Sequence, residues 1–382
     1  MRSNYKPIGN FIQRVEERNK GSKITRLLGL SMTKEFREST SNIVGTDLSV
    51  YKMMRKHQFA CDFMSPIRVS KLPVVLKLDE EPNIVSPAYP VFEVTDKNKL
   101  DPEYLMMWFK RPEFDRYATF KCDAAIRGGY DWEELCETLI PVPSIDKQRE
   151  IVKEYNTIQN RIAINQQLIQ KLEETALATY KQWFVDGIDE SWSKCQIKDF
   201  GKVITGKTPS SECPDDFGND MPFVTPGDFK NYSKFAIGAE RSLSKAGYAK
   251  LKSKVLSKGT VIVTCIGSDM GKISVASDDC ITNQQMNSVV VSESFYTDFL
   301  YYYLLSISEE IRGIAMGGST MPMLSKTDFE KIELIKPNTE LLKRFERILE
   351  PINQMNIALS KEIMKLYELK DLLLSKLATI EN

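Results

Sequence analysis

The sequence predicts an α+β fold used twice: a mixed domain followed by a long helix, then the same plan again. Three observations carry this. Residues 144–181 place apolar side chains at Ile151, Tyr155, Ile158, Ile162, Ile169, Leu172 and Ala176, in alternating steps of four and three. Asn165 fills the one remaining slot, and the stretch has no Gly or Pro, which is the pattern of a heptad seam on one helix. Adding 194 to these numbers reaches a second seam at Phe345, Leu349, Ile352, Leu359, Ile363 and Leu366, with Asn356 as its polar member. Before each seam lie short apolar runs bounded by Pro, Asn and Gly, which read as strands.

At ~1.5 Å per residue such a helix reaches about 57 Å, longer than one core needs, so it wants a partner of like length. The repeat supplies that partner. Antiparallel pairing would put the two domains at opposite ends, related by a pseudo-two-fold axis near Ala163 and Ile357, and would bring Asn165 opposite Asn356. A lone polar residue in an apolar seam fixes register when it is paired, and that role is assigned to these two Asn.

With 382 residues, 42 % hydrophobic and 27 % charged, the chain has the balance of a globular protein of two or three domains. It contains no apolar run of about 18 residues, so no membrane-spanning helix is expected. The start, MRSNYKPIGNF, lacks the apolar stretch of a secretory leader, and a cytoplasmic protein is expected. Seven cysteines, scattered and never spaced C-x-x-C, read as reduced thiols rather than a zinc site. Net charge is zero, but residues 1–56 hold twelve Lys or Arg against five Asp or Glu, and residues 230–272 hold nine against two. A basic segment in each half suggests a shared anionic partner, the alternative being solvated faces balanced by stretches such as Asp79 to Glu81.

In chain order, strands are expected at residues 57–63, 73–78 and 89–94, and a helix over 102–110, because Asp101 is a good N-cap and Pro102 suits the first helical position. Paired glycines in Ala124 to Tyr130 predict a tight turn carrying Arg127, and a strand over 139–142 ends the domain. Gly187 is the expected stop of the first long helix. The second half repeats this plan, with residues 258–265 answering 56–63 and residues 296–305 answering 100–109. Gly317 to Thr320 answers Arg127 to Tyr130, and Leu324, Phe329, Leu334 and Pro337 fall 194 after Tyr130, Leu135, Ile140 and Pro143. The expected divisions are 1–143, 144–184, 185–338 and 339–382.

Residues 201–208, GKVITGKT, match the G-x-x-x-x-G-K-[ST] phosphate-loop pattern. Such a loop needs a buried strand before it and a helix opening at the GKT, whose amides hold the phosphates. Pro209 and Pro214 oppose that helix, so an exposed loop is expected instead. His57 is the only histidine, and no G-x-S-x-G, H-E-x-x-H or [ND]-P-P-[YF] string is present. Catalysis by this chain is therefore not expected.

The residues also carry a family likeness. LIPVPSIDKQREI at 139–151 and KQWF at 181–184 frame the first long helix, and FGKVITGKTPS at 200–210 with PFVTPGD at 222–228 opens the second half. With residues 27–40, 42–47 and 51–60, the chain resembles the specificity subunit of type I restriction-modification systems over essentially its whole length. Departures are Leu342 in the place of Gln148 and a KPN entry to the second helix.

The resemblance implies two target-recognition domains, each reading one half of a split double-stranded DNA site, with an antiparallel coiled coil setting the unread spacer. It implies partnership with two methyltransferase subunits that modify adenine, and with up to two restriction subunits. S-adenosylmethionine, ATP and magnesium would then belong to the partners, with no cofactor, metal or catalytic residue in this chain. DNA contacts need Lys and Arg for phosphates and amide, hydroxyl or guanidinium groups on loops for bases. The candidates are Lys34, Arg37 and Arg127 in the first domain, with Lys207, Thr208, Lys230 and Lys272 in the second. The alternatives are a scaffold with two non-DNA binding modules on a coiled-coil spacer, and a nucleotide hydrolase through residues 201–208.

Overall fold

Alternating apolar residues build the same sheet twice. The computed structural model describes residues 5–39, 45–124, 130–210, 212–315 and 323–380. It divides into one unit of Met1–Arg161 with Leu366–Asn382 and a second of Ile162–Lys365, a division that falls within both long helices.

In the first unit the strands are β1 (Tyr5–Pro7), β2 (Ile12–Arg14), β3 (Leu28–Leu30), β4 (Phe36–Glu38), β5 (Lys52–Met54), β6 (Gln58–Cys61), β7 (Val74–Leu76), β8 (Asn83–Val85), β9 (Val91–Val94) and β10 (Leu139–Pro141). The central sheet has the antiparallel order β2-β9-β6-β7, and β1-β10, β3-β4 and β5-β8 form two-stranded ribbons. Phe59, Cys61, Val74, Leu76, Phe92 and Val94 point to one side, where they meet the helices. Ala60, Val75 and Val91 point to the other, as the period of two requires. The helices are α1 (Ser65–Val69), α2 (Pro102–Phe109), α3 (Pro112–Ala124), α4 (Trp132–Glu137) and the long α5 (Ile145–Tyr180). The Asp101 carboxylate accepts from the amides of Glu103 at 2.8 Å and Tyr104 at 3.2 Å, so the expected cap opens α2. Gln148 on α5 is fully buried. Its amide donates to the carbonyls of Lys99 (3.0 Å) and Pro143 (2.8 Å) and its oxygen accepts from the Asp101 amide (2.9 Å), so it fixes where the helix begins. Ile151, Val152 and Tyr155 share a core with Leu374 and Leu377 from the end of the second long helix.

The second unit has β11 (Ser193–Gln196), β12 (Gly201–Thr205), β13 (Phe217–Gly218), β14 (Met221–Val224), β15 (Phe235–Ala236), β16 (Ser242–Leu243), β17 (Val261–Thr264), β18 (Ile273–Ala276), β19 (Ile281–Thr282), β20 (Met286–Val291) and β21 (Glu333–Lys336). Its helices are α6 (Lys245–Lys250), α7 (Tyr296–Ser306), α8 (Ser308–Ala315), α9 (Lys326–Glu330) and the long α10 (Thr339–Lys376), which continues through Pro351. The central order is β12-β20-β17-β18-β15, the plan of the first unit with one parallel strand, β15, added at the β18 edge. The 194-residue repeat holds in the core: Tyr130, Leu135 and Ile140 are buried in one unit, as are Leu324, Phe329 and Leu334 in the other. Ala176, Tyr180 and Phe184 share a core with Leu342, Phe345 and Leu349 of α10.

The second unit is pinned by a buried cation. Lys234, just before β15, is 1 % exposed. Its ammonium meets the Asp298 carboxylate of α7 and donates to Asn353 Oδ1 of α10 at 2.8 Å, while the rings of Tyr301 and Tyr302 lie 5.2 and 4.9 Å away. The Lys234 amide donates to Glu173 Oε1 of α5 at 2.8 Å, and Asn356 Nδ2 donates to the same oxygen at 3.1 Å. This corrects the expected pairing of Asn165 with Asn356. Both are buried, but Asn356 is engaged by Glu173, Ser233 and Ser360, and Asn165 Nδ2 has no hydrogen-bond partner among the described residues. Glu173 stands eight residues beyond Asn165, about 12 Å along a helix.

Asp298→Ala would strand the Lys234 ammonium in the core, and breaking such a pair costs about 3–5 kcal/mol. A urea titration is expected to show a loss of that order, and a much smaller one when Lys234→Met is combined with it. A second expectation concerns His57, whose φ of 68° turns the chain into β6 and whose Nδ1 lies 2.8 Å from Lys97 Nζ. Burial, then the neighbouring Lys97 and Lys56, lower its pKa below the ordinary value of 6.5. A base with a depressed folded pKa leaves stability unchanged at high pH and lowers it as pH falls through 6.5 toward the folded value. The single histidine resonance is expected to titrate below 6.5 and to move upward in Lys97→Met.

Candidate nucleic-acid interface

Sheet topology brings three connections of the second unit to one end. β12 finishes beside the start of β20, and the end of β17 pairs with the same point. The segment after β12 (206–210), the turn before β20 (283–285) and the β17–β18 hairpin (265–272) therefore lie together. Lys207 donates its amide to the Thr282 carbonyl at 2.9 Å, and Gly206 to Met286 at 3.2 Å. A Cβ on Gly206 would meet Asn283 O at 2.2 Å, so this glycine serves close strand packing. No helix follows the GKT; the next element is a short 3-10 turn at Pro214–Asp216. The amides a phosphate would need are spent on the neighbouring chain, in accord with an exposed loop.

Outward from this end point an exposed Lys207, an exposed Gln284 and a half-buried Thr208. Thr208 Oγ1 donates to Gln284 Oε1 at 2.6 Å, which orients the Gln284 amide and leaves its NH₂ to donate to an acceptor. Lys254 Nζ donates to the Thr205 carbonyl at 2.9 Å beneath them. Lys272, at the base of the hairpin, is paired with Asp269 at 2.5 Å. Lys230 forms an ion pair with Glu240 at 2.9 Å, which raises its pKa. Its short 3-10 turn is set by Thr225 and Asp228, each capping the other's backbone, and this explains the PFVTPGD string structurally. Lys207 and Thr208 thus come together, Lys272 stands on the adjoining hairpin, and Lys230 is tied to a carboxylate elsewhere.

In the first unit the expectation for Lys34 is overturned. Its side chain is buried, its ammonium donates to Asp115 Oδ1 at 2.8 Å and also to the Phe109 carbonyl, and burial lowers its pKa. Such a cation holds the β3–β4 turn to α2 and α3 and is not available to a ligand. Arg37 on β4 is exposed, with Nε 3.4 Å from the Leu30 carbonyl. Arg127 lies outside the described residues, as do Gly128, Gly129 and Gly317 to Thr320. Much of the basic excess of residues 1–56 is neutralised locally: Arg55 by Glu17 (2.6 Å), Lys56 by Glu80 (2.6 Å) and Arg26 by Glu81 (3.3 Å). The end corresponding to the Lys207 cluster carries the β6–β7 connection, where exposed Arg68 and Lys71 flank exposed Ile67 and Val69. Sequence reasoning passed over Arg68, Lys71 and Gln284. The NQQ run before a strand was the available signal for the last, and nothing in SPIRVSK marks a projecting turn. Among the described residues no group of acidic, Cys or His side chains is arranged to hold a metal, and no helix is long and apolar enough to cross a membrane.

The family model of the type I restriction modification DNA specificity domain matches residues 189–368. The chain is 24 % identical, over 77 % of its length and 80 % of the other's, to the type I restriction enzyme HindI specificity subunit of Haemophilus influenzae. It is 27 % identical, over 50 % of its length and 46 % of the other's, to the MjaIX specificity subunit of Methanocaldococcus jannaschii. The S subunit of a type I restriction-modification system from M. genitalium shares its fold, with a TM-score of 0.61 at 14 % identity, covering 99 % of this chain and 96 % of that one. A specificity-domain match over residues 189–368, curated relatives spanning both halves and a shared fold all indicate a type I restriction-modification specificity subunit.

Proposed function

We propose that this chain is the non-catalytic address of a cytoplasmic type I complex, each unit reading one half of a bipartite double-stranded DNA site. The observation that carries the reading is the repeated sheet order, β2-β9-β6-β7 and β12-β20-β17-β18, with an exposed cationic connection at the corresponding end of each, Arg68 and Lys71 in the first and Lys207 in the second. On this reading α5 and α10 pair antiparallel as a coiled coil, and their length sets the spacer. Exposed apolar side chains such as Ile164, Leu168 and Met355 on these helices suit docking of two methyltransferase subunits that modify adenine, joined by up to two restriction subunits. S-adenosylmethionine, ATP and magnesium act in those partners. Lys207 contacts phosphate, Thr208 and Gln284 face base edges, Lys272 supports them, and Arg37, Arg68 and Arg127 serve the first unit.

Methylome sequencing with and without the gene is expected to show loss of one bipartite N6-methyladenine motif; an unchanged methylome would refute the reading. Within it, Lys207→Ala is expected to weaken binding to all sequences alike and to reduce the salt slope by about 1. Gln284→Ala is expected to relax one base position of one half-site by about 1–3 kcal/mol of discrimination, measured by competition among single-base variants of the site.

A further inference from the structure

The turn that leads into β20 carries two glutamines whose amides are held alike. Gln284 and Gln285 occupy its central positions; the Met286 amide closes it on the Asn283 carbonyl at 3.3 Å, and the Cys265 amide of the neighbouring hairpin donates to the Gln285 carbonyl at 2.8 Å. The buried Asn283 braces this turn from within. Its Oδ1 accepts from the Gln285 amide at 3.1 Å, which leaves its NH₂ to donate to Gln285 Oε1 at 2.9 Å. Thr208 does the same for Gln284 from the segment after β12. Its hydroxyl lies 2.6 Å from Gln284 Oε1, a separation that suits an O–H···O bond and is short for an N–H···O one, so the oxygen of that amide faces Thr208.

Each glutamine therefore has its oxygen turned to the protein, and neither NH₂ has a hydrogen-bond partner among the described residues. Gln284 is exposed, Gln285 half-buried, and the exposed Lys207 stands beside them. This tip presents hydrogen-bond donors. In the major groove guanine alone offers two acceptors, N7 and O6, and no donor; adenine pairs an acceptor with a donor, cytosine shows a donor, and thymine one acceptor beside a methyl group. A glutamine free to turn takes adenine, setting its NH₂ on N7 and its oxygen on the N6 amine. Tethering the oxygen to Thr208 removes that option.

Given the DNA-reading role proposed above, we propose that Gln284 and Gln285 together read one guanine in the half-site of the second unit, with Thr208 and Asn283 as positioning residues that set the two amides for that base. The test uses the assembled complex and the bipartite site that methylome sequencing identifies; if no motif is lost with the gene, it is the DNA-reading role that fails. Each guanine of the site is replaced in turn by 7-deazaguanine, which keeps base pairing but lacks the N7 acceptor, and binding is measured by competition. One such replacement is expected to weaken wild type about tenfold and to leave Gln284→Ala or Gln285→Ala indifferent. Thr208→Val, which frees the Gln284 amide to turn, is expected to admit adenine at that same position, whereas Thr208→Ser keeps guanine. The proposal is overturned if no guanine shows this N7 dependence, if Gln284→Ala relaxes a position that holds another base or loses binding altogether, or if Thr208→Val and Thr208→Ser behave alike.

Discussion

The second unit depends on a lysine placed where water cannot reach it. Lys234 sits between a strand edge, α7 and α10, and its charge is met by Asp298 and Asn353 while Glu173 of α5 receives its amide. An unpaired ammonium there would be prohibitively costly, so the four elements must arrive together or the core does not close. That makes the network a specificity device as much as a stabilising one. It locks the body of the unit onto both helix segments that pass through it.

The first unit solves the same problem with other groups. Gln148 joins the start of α5 to the loop before α2, and Lys34 joins the β3–β4 turn to α2 and α3. Leu342 stands where Gln148 is in the repeat and is fully buried, so an apolar contact replaces the amide tether. The family departure noted in the sequence is therefore a change of anchoring chemistry at a retained core position. Loops have diverged around a common frame, which is the expected behaviour of a scaffold whose ends do the recognition.

Much of this was legible in the residues, because burial imposes periodicity. The strands at 58–61, 74–76 and 91–94, the Asp101-capped helix and both long helices follow from apolar spacing and caps. The three-residue ribbons β3-β4 and β5-β8 were not legible, since so few residues show no alternation. The Asn165–Asn356 pairing failed for a physical reason: a heptad seam looks the same after a slide of about two turns, so the seam alone cannot set the register. Glu173 set it through Asn356 and the Lys234 amide. Lys34 was misread because lysines are seldom buried, and only the distant Asp115 and Phe109 make it so. Thr208 was found from its loop, but its partner Gln284 is 76 residues away.

If the proposed reading holds, recognition has two separable parts, the base-facing ends of the sheets and the helical length between them. Inserting one heptad into each long helix, beside Ala163 and Ile357, lengthens each by about 10.5 Å while preserving the seam, which matches about three base pairs at ~3.4 Å each. Methylome sequencing of cells carrying that variant with its partner subunits is the most direct test. The account predicts the two original half-sites with the unread gap longer by about three base pairs. An unchanged gap, or altered half-sites at the original gap, would contradict it.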